Sequence, residues 1–294
     1  MDAQVRSIAQ VVEPQQVLEG AGVRLRRSIG GWDLDYLDPF LLLDHFDSDD
    51  PDDYRLGFPL HPHRGIETGT YMLSGHVDHK DTLGNAGAIG PGDLQWMTSG
   101  GGIMHEEMPR VEPGRNNGFQ LWVNMPARLK MSEPRYQDVA AATVPRVARP
   151  DGVTIGVVAG EVDGVHGPIA ALYAEPDYLD VTVPPDVTFE HPVAAAHNVF
   201  AYAFEGSGWF GEASPDETPL PTPRLVVFGA GDVVRAQAGA AGLRFLLVSG
   251  EPLGEPIARY GPFVMNTRAE LQQALDDLRA GTFVWTRERG TSPA

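Results

Sequence analysis

The chain has 294 residues, room for one large or two ordinary domains. Lys+Arg 22 against Asp+Glu 40 give a net charge of −18 at pH 7, which repels nucleic acid and excludes a direct nucleic-acid partner. No cysteine is present, so disulfides, thiolate metal sites and a cysteine nucleophile are excluded as well.

The opening Met1-Asp2-Ala3-Gln4-Val5-Arg6 lacks the basic-then-apolar run of a signal peptide. No stretch reaches the ~18 apolar residues of a membrane span. A soluble cytoplasmic protein without a membrane partner is therefore expected. Gly 34 and Pro 25 suit many short strands joined by turns.

Residues 22–46 carry apolar clusters, Val23, Leu25 and then Phe40-Leu41-Leu42-Leu43, expected as strands preceding a first barrel. Residues 47–55 are an acidic loop containing Pro51; their spacing does not match an EF-hand, and a solvated loop is expected. His61-Pro62-His63-Arg64-Gly65-Ile66-Glu67 follows. On an extended strand His61 and His63 point to one face. Ile66–Ser74 reads as a strand broken at Gly75, and residues 76–85, with His76 and His79, as a polar, solvated hairpin. Gly90-Pro91-Gly92-Asp93 is a tight turn, Leu94–Thr98 a strand, and Ser99–Gly102 a glycine-rich turn. Gly102-Ile103-Met104-His105-Glu106-Glu107 then sets His105 and Glu107 in the same i, i+2 relation. Phe119–Met125 reads as another strand.

Two such strands side by side aim three imidazoles and a carboxylate at one point. Nitrogen and oxygen donors without sulfur suit Fe, Mn, Ni, Cu or Zn rather than Mg or Ca. Glu67 competes with Glu107 for the fourth position. Adjacency to His105 favours Glu107 as ligand, which leaves Glu67 to orient a ligand from outside the coordination sphere. Four ligands leave two octahedral positions open, and a site with one carboxylate keeps a positive charge that suits an enolate. Trp96, Met97, Met104, Phe58, Met72 and Trp122 either wall an aromatic pocket or fill the barrel core. No Ser/His/Asp order, P-loop or dinucleotide fingerprint is present.

The second half repeats the pattern of turns. Gly152–Gly160, Ala170–Val183 and His197–Phe204 read as strands, and Gly229-Ala230-Gly231-Asp232 parallels Gly90-Pro91-Gly92-Asp93. Aligned on Gly206 and Asp232, the copy places Pro192, Ala194 and Asn198 at the positions of His61, His63 and Glu67. It places Arg244 and Leu246 opposite His105 and Glu107. One metal per chain is expected. Thr267 and Glu270 form a capping box for a terminal helix with Leu271, Leu275 and Leu278 at helical spacing, ended by Gly281. The expected architecture is all-β: a metal-binding barrel over 1–135, then a degenerate barrel plus the helix over 136–294.

The motifs His-x-His-x3-Glu, Pro-Gly-Asp and Gly-x2-His resemble the two motifs of the cupin superfamily. More narrowly, the chain resembles the pirin family. The resemblance is carried by Asp38-Pro39-Phe40-Leu41-Leu42-Leu43-Asp44, by His61-Pro62-His63-Arg64-Gly65-Ile66-Glu67-Thr68 and by Pro91-Gly92-Asp93-Leu94-Gln95-Trp96-Met97-Thr98. Gly102-Ile103-Met104-His105-Glu106-Glu107-Met108-Pro109, Leu121-Trp122-Val123-Asn124 and Gly261-Pro262-Phe263-Val264-Met265-Asn266-Thr267 extend it over nearly the whole chain. It implies a monomeric bicupin of jelly-roll barrels with Fe(II) held by His61, His63, His105 and Glu107. It also implies one of two activities. The first is a quercetinase-type dioxygenase acting with O2 on a flavonol or other enolic substrate, with Glu107 also taking the hydroxyl proton. The second is a redox- or metal-responsive regulator that binds transcription factors or metabolic enzymes.

Overall fold

The computed structural model describes residues 4–170, 172–174, 176–212 and 218–286. Among them strands dominate and one α-helix occurs, Arg268–Arg279. The chain forms two compact units. Their partition is not the expected break at 135/136. One unit joins 16–30 and 39–142 to everything from Leu253 onward, and the other comprises 1–15, 31–38 and 143–252.

The first unit is built from a seven-stranded and a four-stranded antiparallel sheet. The larger sheet includes Val23–Ile29 and Phe40–Ser48, so these strands are part of the first barrel rather than a prelude to it. Alongside them run Asn116–Asn124, Ile66–Ser74 and Leu94–Thr98. The smaller sheet pairs Phe58–His63 with Ile103–Pro109, and the latter with Val77–Asp81. Trp96, Met97 and Met72 are core residues. Phe58 and Trp122 line a pocket, and Met104 packs towards the helix. The acidic segment forms a short 3-10 turn, Pro51–Asp53, with Asp53 bound to Arg24 and Ser48.

The helix belongs to this unit for a chemical reason. Leu271, Leu275 and Leu278 pack with Phe263, Ala274 and Phe283. Its capping box is complete: Glu270 N donates to Thr267 Oγ1 at 3.2 Å, and Thr267 N to Glu270 Oε2 at 2.7 Å. Arg64 Nη1 donates to Asp277 Oδ2 at 2.8 Å, and its guanidinium lies 4.5 Å from the Phe283 ring centroid. Buried Lys130 donates from Nζ to Gly65 O, Asn124 Oδ1 and Val264 O at 2.6–2.9 Å. These bonds tie the segment after Leu253 to the turn that follows His63.

The second unit is a nine-stranded sheet. Strand Asp177–Val183 lies where Ala170–Val183 was expected; residues 171 and 175 of that stretch are outside the described residues. Its 18-residue strand Val233–Gly250 pairs with Thr188–Pro192 through its first part and with Asp177–Val183 through its last. The interior is a hydrophobic cluster including Phe189, Phe210, Phe245 and Leu247.

Candidate metal centre

Register does what the i, i+2 spacing anticipates. In the pair formed by Phe58–His63 and Ile103–Pro109, His61 sits opposite His105 and His63 opposite Ile103. All three imidazoles therefore emerge on the barrel's inner face. Ring centroids lie 4.4 Å apart for His61–His105, 4.9 Å for His61–His63 and 5.0 Å for His63–His105. One donor nitrogen from each lies within 4.8 Å of the others.

The donor set fits a metal ion. Both ring nitrogens of His105, and Nδ1 of His63, are buried without a hydrogen-bond partner, an arrangement that ordinarily costs stability unless something else binds there. His61 Nδ1 lies 2.9 Å from Pro59 O. That bond assigns the proton to Nδ1 and leaves Nε2 as the donor to a metal. Burial, reinforced by the neighbouring imidazoles, pushes His63 and His105 well below the usual histidine range. Neutral imidazole is the form that ligates.

Glu107 is buried on the same face as His105. A register shift between the two sets Glu107 opposite Phe58. Its Oε1 accepts from Thr70 Oγ1 and its Oε2 from Gln120 Nε2, both at 3.0 Å. Each carboxylate oxygen has a second lone pair. Glu67 is elsewhere. Strand parity sets it on the opposite sheet face from Thr70, where Oε1 accepts from Thr98 Oγ1 at 2.7 Å and Arg135 Nη2 stands 3.8 Å away. Thr70 and Gln120, not Glu67, hold the carboxylate beside His105. No sequence signal singles out that pair, since Ile66–Ser74 also carries Glu67, Thr68 and Ser74, and Asn116–Asn124 also carries Asn116, Asn117 and Asn124.

His79 also departs from expectation. It is 2 % exposed rather than solvated, because its strand belongs to the inner sheet next to Ile103–Pro109. Its Nδ1 meets Gln95 Nε2 at 2.6 Å and its Nε2 lies 3.3 Å from Asp81 Oδ2. Its ring centroid is 5.3 Å from that of His105.

Above the histidines lies a pocket of about 500 Å3. His61 and His63 form part of its lining, Phe58 and Trp122 give it aromatic walls, and Arg259 and Pro262 close one side. The Arg259 guanidinium lies 5.2 Å from the Trp122 ring centroid. Among the described residues this is the one group of histidines and carboxylates arranged to hold a metal.

Two barrels in tandem, with a three-histidine centre in the first, define a bicupin. The family model described as Pirin matches residues 22–123, and that described as Pirin C-terminal cupin domain matches 178–284. A pirin-like protein from Caulobacter vibrioides is 46 % identical over 95 % of this chain and 99 % of its own length. Pirin from Homo sapiens is 41 % identical, covering 89 % of this chain and 88 % of its own. Among solved structures, quercetin 2,3-dioxygenase from Acinetobacter baumannii superposes with a TM-score of 0.85 at 31 % identity, over 95 % of this chain and 98 % of that one. The chain belongs to the pirin family.

Proposed function

We propose that this protein is an iron-dependent oxygenase of the quercetinase type, acting with O2 on flavonols or related enolic aromatics. The observation that carries the reading is a triad of imidazoles, two of which, His61 and His63, line an open pocket of about 500 Å3 with aromatic walls. A structural metal site would be closed off by its own protein ligands. His61, His63 and His105 would hold the metal and Glu107 would complete the set. Bound there, Fe(II) supplies a Lewis acid and one-electron chemistry towards an enolate and O2.

The chain's own residues prepare the rest. Pro59 O fixes the orientation of His61. Thr70 and Gln120 hold the Glu107 carboxylate in place, where it can accept the substrate's hydroxyl proton. Phe58 and Trp122 offer flat apolar surface to an aromatic ring. The similarity to a quercetin 2,3-dioxygenase supports this reading.

The test is anaerobic reconstitution with Fe(II), followed by oxygen uptake and carbon monoxide release with quercetin, with His61→Ala as control. Turnover of about 1 per second or more, lost in the variant, is expected. Bound iron without turnover would overturn the oxygenase and direct attention to binding partners in each oxidation state.

A further inference from the structure

The pocket above the histidines has two arginines in its wall, Arg27 and Arg259. Arg27 is matched by carboxylates. Both Asp44 oxygens accept from it, at 2.8 Å from Nε and 2.7 Å from Nη2, and Glu19 Oε1 accepts from Nη1 at 2.7 Å. Arg259 is held differently. Its Nη1 donates to the main-chain oxygen of Leu41 at 3.1 Å, and its guanidinium lies over the Trp122 ring. Both of these groups are uncharged. We propose that Arg259 selects substrates that carry a carboxylate at the end remote from the enolic group. The proposal rests on the oxygenase reading above and narrows its substrate class to enolic aromatic acids.

Hydrogen bonds fix where Arg259 stands. Its strand, Ala258–Tyr260, pairs with Phe263–Met265. Val264 N donates to Arg64 O at 3.1 Å, which pins this hairpin to the residue after His63. Arginine side chains ordinarily carry their charge out to water along an apolar stem. Here Leu41 O and the Trp122 face hold the guanidinium against the pocket instead. Its charge is felt there. Burial pushes the Asp44 carboxyl up to about 6, and Arg27 and then Arg259 oppose the rise.

Trp122 links this charge to the metal centre. His63 stands edge-on to the indole, with ring centroids 5.1 Å apart at 87°, and the Arg259 guanidinium lies 5.2 Å from the same ring centroid. An aromatic substrate lying along that wall presents its enolic end to the histidines and its far end to Arg259. The planar fork of a guanidinium, with five N–H donors, matches a carboxylate in shape as well as charge.

One negative charge fits and two do not. Asp44 and Glu19 line the same pocket and repel a dianion such as a phosphate monoester. The chain as a whole, at a net charge of −18, repels anions as well. An acidic substrate therefore needs a local cation to hold it, and Arg259 is placed to be that cation.

The experiment has two arms. In the first, the metal-free full chain is titrated calorimetrically with 2-naphthoate and with its uncharged isostere 2-naphthamide. Wild type is expected to bind the acid about tenfold more tightly than the amide, the usual worth of a charge-assisted hydrogen bond. The preference is expected to vanish in Arg259→Met, which keeps a stem over Trp122, and to survive in part in Arg259→Lys. Equal binding of acid and amide by wild type, or a preference that persists in Arg259→Met, overturns the proposal. In the second arm, the iron-loaded chain is given 3-hydroxyflavone bearing either a 4′-carboxylate or a 4′-carboxamide. In wild type KM for the acid is expected to lie about tenfold below KM for the amide, with the ratio falling towards one in Arg259→Met. Equal KM values in wild type overturn Arg259 as the selector. Turnover of neither flavonol, with the naphthoate preference intact, defeats the oxygenase reading; the anion then falls as a substrate, and Arg259 stands as an anion site only.

Discussion

The two barrels share a plan and differ in what fills them. In the first, the inward positions of the Phe58–His63/Ile103–Pro109 pair are His61, His63, His105 and Glu107. In the second, the corresponding pair is Thr188–Pro192 with the first part of Val233–Gly250, where Phe189 faces Ala236 and His191 faces Val234. Phe189 therefore stands where the first barrel has His61, His191 where it has His63, and Ala236 where it has His105. One imidazole survives, buried and 6.1 Å from the Phe189 ring, but it has no imidazole or carboxylate facing it across the pair. The space that a pocket occupies in the first barrel is packed in the second by Phe189, Phe210 and Phe245. A barrel keeps its fold with either interior; chemistry needs the polar one, and the apolar one supplies stability.

The sharpest break in that comparison is His105→Ala. Loss of one of three nitrogen donors is expected to lower metal affinity by more than ~100-fold, beyond what changes to surrounding residues cost, while far-UV circular dichroism stays native. The reverse experiment is Phe189→Ala. It is expected to cost ~3–5 kcal/mol in denaturant unfolding, the usual price of a large aromatic removed from a core, and to leave metal content untouched.

Lys130→Met probes the link between the metal barrel and the segment after Leu253. It leaves three acceptors without their donor, at an expected ~2–4 kcal/mol, and lowers metal affinity by a smaller factor than His105→Ala. Calorimetric unfolding and metal titration on one preparation check both. The smallest effect concerns pH. Burial, more than any partner, lowers the pKa of His45 to about 4, although its Nε2 meets Asn117 Oδ1 at 3.0 Å. The unfolded chain binds a proton near pH 6.5 that the folded chain refuses, so stability falls as pH drops from 6.5 towards 4, by up to ~3 kcal/mol. His45→Phe is expected to flatten unfolding free energy across that window.

The clustering of the three histidines was legible in the sequence because period-2 geometry turns a spacing into a shared face, and His61-x-His63 and His105-x-Glu107 both have it. The capping box at Thr267 was legible for the same local reason. What failed was long-range. Aligning Asp232 with Asp93 set Arg244 and Leu246 opposite His105 and Glu107, whereas the strand pairing puts Ala236, across from Phe189, in the place of His105. The error arises because Val233–Gly250 is one continuous 18-residue strand serving two sets of partners, the change falling at Gly239 and Gly242 without ending the strand. The attachment of the terminal helix to the metal barrel was equally hidden, since Arg64–Asp277 and Lys130–Val264 join residues more than 130 positions apart. His79 looked solvated because its neighbours Asp78 and Lys80 are polar. Only its place beside Ile103–Pro109 buries it.

The central claim is a single metal, held in the first barrel. Metal content per chain after Fe(II) reconstitution tests it most directly, measured for wild type, His61→Ala, His105→Ala and His191→Ala. The account predicts one equivalent in wild type and in His191→Ala, and none retained through desalting in the other two. Metal that persists in His61→Ala and His105→Ala, or that is lost in His191→Ala, would contradict it.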